Sequence, residues 1–132
     1  MQSVMKLKNG ELGRFGEFLA RRYLQKKGWE LLDCNWRNKL GEVDIIALDN
    51  NKSALVFVEV KTRRSVSVGY PSESVNYKKL RTIKGLVGLW IDEKRIENRE
   101  IPYARDIRID VVSILVLGDD DITVSHIENA NI

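Results

Sequence analysis

Three side chains in this sequence could act together on a phosphate: Asp44, Glu59 and Lys61. They lie in two Val- and Ile-rich runs, "EVDIIAL" (42–48) and "ALVFVEVKT" (54–62), with the turn-rich "DNNKS" between them. Such runs, bounded by Asp, Asn and Ser, predict a β-hairpin. A turn centred between Asn51 and Lys52 sets Leu48 against Leu55, Ile46 against Phe57, Asp44 against Glu59 and Glu42 against Lys61. Directly opposed residues share a face, with Cβ atoms about 4.5–5.5 Å apart. That face is apolar near the turn and charged at its far end. Two carboxylates side by side repel and weaken a sheet. A divalent cation would neutralise them, and Mg²⁺ favours carboxylate oxygens and waters. Lys61 could then orient or deprotonate a metal-bound water, or stabilise charge developing on a phosphate. The spacing also allows a solvated sheet end with a Glu42–Lys61 ion pair of little energetic weight.

The elements that must carry these residues follow from periodicity. "GELGRFGEFLARRYLQKKG" (10–28) reads as a helix, with Leu12, Phe15, Leu19 and Tyr23 at steps of three or four and Gly28 as its stop. Gly13, Gly16 and Ala20 would let it approach a sheet closely. "WELLDCNWR" (29–37) reads as a strand with a bend. A second helix is predicted over 72–95, with Val75, Leu80, Ile83, Val87 and Trp90 on its apolar face. "IRIDVVSILVL" and "DITVSHI" follow as strands around the acidic turn Asp119–Asp121. The order αβββαββ predicts a single α/β domain with a mixed sheet of about five strands flanked by helices. Residues 1–9 are expected to form a disordered lead-in.

Composition bounds the class. The chain has 132 residues, 43% hydrophobic and 31% charged, which fits one soluble globular domain. Its single cysteine, Cys34, excludes a disulfide framework and a cysteine metal cluster. The start "MQSVMKLKNGELG" has no apolar signal segment, and no run is long enough to span a membrane. A reducing cytoplasm without membrane contact is therefore expected. The net charge of +3 is uneven: residues 61–108 hold 12 basic and 6 acidic side chains, while 109–132 hold no Lys or Arg and 5 acids. The basic middle suits a polyanion, although solvated helix faces give the same pattern. His126 is the only histidine, so a histidine-rich metal site is excluded, and a structural role is the simpler reading. Asp110, two residues from Arg108 on one strand face, reads equally as a local ion pair or a site residue. Trp29, Trp36 and Trp90 read as packing residues.

The pieces "GRFGEFLARRYL", "NWRNKLGEVDIIA", "VFVEVKTRR", "GYPSESVNYKKL" and "RIDVVSI" occur in this order over about residues 12–130. Together they resemble the YraN-like family of small bacterial proteins, within the PD-(D/E)xK, or restriction-endonuclease-like, nuclease superfamily. The resemblance implies that Asp44 and Glu59 hold Mg²⁺ or Mn²⁺ and that Lys61 completes a catalytic set. Val43 stands where the superfamily's nominal proline would be. Glu17 matches an acidic residue of the first helix that assists metal binding in archaeal Holliday-junction resolvases. Without the resemblance, a surface Glu17–Arg21 pair explains it as well. Arg64, Lys79 and Arg108 match basic positions that would contact DNA phosphates. By position alone, Tyr70 in the loop "SVGYPS" could touch a nucleic-acid strand's backbone, and Glu42 could support the site from outside, pair with Lys61 or lie exposed at a turn. The implied activity is metal-dependent hydrolysis of DNA, branched or structured DNA included, by an enzyme that could work as a homodimer. A catalytically inactive DNA-binding module and a protein-interaction module are the alternatives, because a retained scaffold does not prove activity.

Overall fold

In the computed structural model the described residues are 3–64 and 77–130. Seven elements follow in chain order: α1 (Asn9–Lys26), β1 (Glu30–Asn38), β2 (Gly41–Asp49), β3 (Ala54–Arg63), α2 (Tyr77–Ile96), β4 (Asp106–Gly118) and β5 (Asp121–Ile127). They build one five-stranded sheet in the order β1-β2-β3-β4-β5. All neighbours pair antiparallel except β3 and β4, which run parallel and are joined through α2. This mixed sheet between two helices has restriction-endonuclease-like topology, as the element order predicts.

Each helix covers one face. Ile45, Ala47, Val56, Val58, Val112 and Ile114 pack with Leu12, Ala20 and Leu24 of α1. Ile46, Leu55, Phe57, Ile109 and Val111 pack with Leu80, Ile83, Leu86 and Trp90 of α2. Trp29, Trp36 and Trp90 are all buried, which fits their reading as packing residues. The buried stripe of α1 is Leu12, Gly16, Ala20 and Leu24, one step round from the Leu12–Phe15–Leu19–Tyr23 stripe predicted from hydrophobicity. The reason is close approach. A Cβ at Gly16 would lie 2.8 Å from Thr62 Cβ and would collide with Thr62 Oγ1, so only glycine lets α1 sit this near β3. Gly28, at φ +86°, follows the helix, and its N–H donates to Gln25 O.

The start of α2 predicted at 72 lies outside the described residues, as does Val75. In the stretch expected as a disordered lead-in, Val4–Lys6 forms one 3-10 turn, and Ser3 Oγ donates to Asp119 at 2.9 Å. Among the described residues no helix is long and apolar enough to cross a membrane.

Candidate active site

β2 and β3 pair in the predicted register, with Leu48 opposite Leu55 and Ile46 opposite Phe57. The ladder stops at Ile45–Val58, one residue short of Asp44 and Glu59. Asp44 causes the break. Its Oδ2 accepts the N–H of Val60 at 2.8 Å, in place of a strand carbonyl. Val43 and Ile46 both pack in the α2 core while Ile45 packs in the α1 core, so side-chain alternation is interrupted at Asp44. The carboxylate thus lies where the two strands part, open to influence from both faces of the sheet.

From the α2 face comes Glu59, continuing the Leu55–Phe57 side of β3. It is mostly buried, and its Oε2 has no hydrogen-bond partner. Lys79 Nζ of α2 lies 3.8 Å from that oxygen. Burial, then the charge of Asp44, push the Glu59 carboxyl up to about 8, and Lys79 and Lys61 only partly oppose this. Asp44 is also raised, chiefly by burial, although the Val60 N–H and a hydrogen bond with Glu59 pull it back. Burial and the neighbouring charge thus oppose ionisation of both carboxyls together. Lys61 is half-buried, in register with Ser113 of β4, whose buried Oγ also has no hydrogen-bond partner.

Glu17 approaches from the α1 face, one residue beyond the Gly16–Thr62 contact. Burial raises its carboxyl, and the charges of Asp44 and Glu42 add to this, while Arg21 and the Asn35 amide oppose it. Glu17 is thus electrostatically part of the site. Asn35 has φ +52° inside β1, a left-handed backbone that asparagine tolerates better than most residues. Sequence patterning could not single it out.

The supporting residues divide. Glu42 pairs with Arg37 at 3.0 Å across the β1–β2 ladder, not with Lys61 as the simple hairpin reading allows. Arg64 directly follows β3, and its Nε and Nη2 are buried without an acceptor, as is Nη1 of Arg63, which the sequence did not single out. Lys79, expected at a phosphate, is turned toward Glu59. Tyr70 lies outside the described residues.

Arg108 requires a correction. It is only 8% exposed, and its guanidinium is committed to carboxylates. Nε and Nη2 donate to Asp110 at 3.0 and 2.9 Å, and Nη1 donates to Asp49 at 3.1 Å. His126 Nε2 meets the same Asp110 at 2.8 Å, and its Nδ1 lies 3.0 Å from the Tyr23 hydroxyl. A guanidinium saturated by buried acids has nothing left for a DNA phosphate. Arg108 and Asp110 form the local ion pair of the alternative reading, and His126 is structural.

The donor set fits a divalent cation in part. Two close carboxyls, one with an orphaned buried oxygen, match a cation held by one or two carboxylates plus waters and a substrate phosphate. Among the described residues no three His, Cys, Asp or Glu side chains converge closely enough to hold a metal by themselves. Glu17 therefore stands beyond direct convergence with the pair, and the charge of Asp44 reaches it.

Fold and site together define a protein of the restriction-endonuclease-like type, with the D…E-x-K arrangement at the end of a parted hairpin. The chain belongs to the family described as Uncharacterised protein family UPF0102, whose model matches residues 16–114. It is 43% identical over 122 residues to a UPF0102 protein of Alkaliphilus oremlandii, covering 92% of this chain and 98% of the relative. A Clostridium beijerinckii UPF0102 protein is 39% identical over 127 residues, covering 96% and 97% of the two chains. One from Caldicellulosiruptor bescii is 44% identical over 113 residues, covering 86% and 89%.

Proposed function

We propose that this protein is a divalent-metal-dependent DNA endonuclease. The observation that carries the reading is the Asp44–Glu59 pair: two neighbouring carboxyls at the parted end of the hairpin, both raised chiefly by burial, Asp44 anchored on the Val60 N–H and Lys61 two residues beyond Glu59 on β3. Asp44 and Glu59 would hold Mg²⁺ or Mn²⁺, with Glu17 adding charge from the α1 side. When bound, such a cation supplies Lewis acidity at a phosphoryl oxygen and lowers the pKa of a bound water. The Val60 N–H holds the Asp44 carboxylate in place. Lys61 holds the attacking water or takes its proton. Arg63 and Arg64, at the end of β3, add positive charge for the phosphate beside the carboxylate pair.

A non-catalytic DNA-binding module on the same scaffold is the second reading, favoured by the absence of three converging metal ligands among the described residues. One assay separates the two. Purified protein is incubated with linear, flapped and four-way DNA in Mg²⁺ or Mn²⁺, alongside Asp44→Ala and Lys61→Ala variants. Nicking by the wild type that both substitutions abolish supports the nuclease. Salt-sensitive binding without cleavage in either metal supports the binding module, and cleavage that survives both substitutions overturns the assigned residues.

A further inference from the structure

A cleft of about 460 Å³ opens between the first half of α1 and β1, lined by Gly10, Gly13, Arg14, Glu17, Asn35 and Arg37. Glu17, on the α1 wall of this cleft, is also the residue that approaches the carboxylate pair from the α1 face. We propose that this cleft is a second phosphate subsite, which takes the DNA backbone on the far side of Glu17 from Asp44. The proposal rests on the endonuclease reading and adds the path of the substrate strand.

Three observations carry it. The first is charge. Arg14 is exposed and makes no ion pair or hydrogen bond with other described residues. Arg37 has a side chain 75% exposed and engages Glu42 through Nε at 3.0 Å, which leaves its terminal amino groups for another acceptor. Two guanidinium forks at one cleft suit a phosphodiester, which accepts paired N–H donors. The second is space. Gly10, Gly13, Arg14 and Glu17 recur at helical spacing and form one stripe of α1 over the cleft. A glycine inside a helix weakens it relative to alanine. At Gly16 close packing on Thr62 accounts for the glycine, but a Cβ at Gly13 would meet nothing within 4 Å. Packing gives no reason for Gly13; a cleft kept open for a ligand does. The third is geometry at the opposite wall, where β1 turns left-handed at Asn35, φ +52°, and brings Asn35 and Arg37 together along the cleft.

The test is binding of fluorescein-labelled DNA by the full chain in EDTA, across a salt series, so that no cleavage intervenes. Arg14→Ala/Arg37→Ala should weaken binding by about tenfold or more, with the slope of log K against log salt shallower by about 0.9 for the one phosphate lost. Gly13→Gln, which fills the cleft and keeps both charges, should weaken binding without lowering the melting temperature. Unchanged affinity and slope in the double variant, with normal affinity in Gly13→Gln, overturns the subsite. If the wild type still cuts DNA in Mn²⁺, only the subsite falls. If the wild type neither binds nor cuts, the endonuclease reading falls and takes the subsite with it.

Discussion

Asp44 Oδ2 accepts a hydrogen bond from the Val60 N–H at 2.8 Å, so a side chain continues the β2–β3 ladder after the backbone pairing has stopped. The same carboxylate closes the sheet and faces Glu59. Its two roles can be separated by substitution. Asp44→Asn keeps the acceptor for Val60 and should change stability by less than about 1 kcal/mol, whereas Asp44→Ala leaves a half-buried N–H unpaired and should cost about 1–3 kcal/mol. Urea denaturation of the two variants measures the difference. Equal stability would show that the Val60 bond contributes nothing.

The raised carboxyl of Glu59 makes metal-free stability fall as pH rises. Glu59 is lifted from 4.5 to about 8 on folding, so between those values the folded chain binds more protons than the unfolded one. Stability from this group is complete below pH 4.5 and is lost as pH rises through about 8. Denaturation midpoints measured in EDTA across that range should fall for the wild type and fall less for Glu59→Gln. A slope that Glu59→Gln leaves unaltered would place the titration elsewhere.

Gly16 fixes the distance of α1 from β3. Gly16→Ala should destabilise by about 1–3 kcal/mol, as over-packing does in a closely packed interface. Adding Thr62→Ala removes the atoms that the new methyl strikes and should recover part of the loss. Thermal unfolding of the single and double variants tests this. Additive losses would mean that the helix does not rest on Thr62.

Arg108 and Arg64, alike in sequence, should separate cleanly. Arg108→Ala leaves Asp49 and Asp110 buried without their counter-charge and should cost about 3–5 kcal/mol. Arg64→Ala removes a positive charge that no carboxylate among the described residues pairs with, so it should leave stability nearly unchanged and weaken DNA binding. Paired melting and DNA-binding measurements decide. A stable Arg108→Ala protein with weakened DNA binding would restore Arg108 to the DNA-facing set.

Much of this architecture was legible because it follows local rules. Val- and Ile-rich runs around "DNNKS" specify the hairpin and its register, and Gly28 marks the end of α1. What escaped has tertiary causes. Small residues on α1 signal close approach, which holds at Gly16 and Ala20 but not at Gly13, while hydrophobic periodicity weighs Phe15 and Leu19 too heavily because the stripe is chosen by contact with Thr62. Ladder arithmetic continues past Ile45–Val58, and only the structure shows Asp44 replacing a carbonyl there. A basic residue beside a site looks the same in sequence whether it faces DNA or, like Arg108, is claimed by Asp49 and Asp110 from neighbouring strands. Asn35 depends on a backbone conformation that no composition signal reveals.

The central claim is that the Asp44–Glu59 pair is a metal site held ready by a proton. Mn²⁺ titration by calorimetry near pH 7, repeated in buffers of different ionisation heat, tests it most directly. The expected result is saturable Mn²⁺ binding coupled to release of close to one proton, with both lost in Asp44→Asn. Absence of binding in the wild type, or binding that Asp44→Asn leaves intact, would contradict the claim.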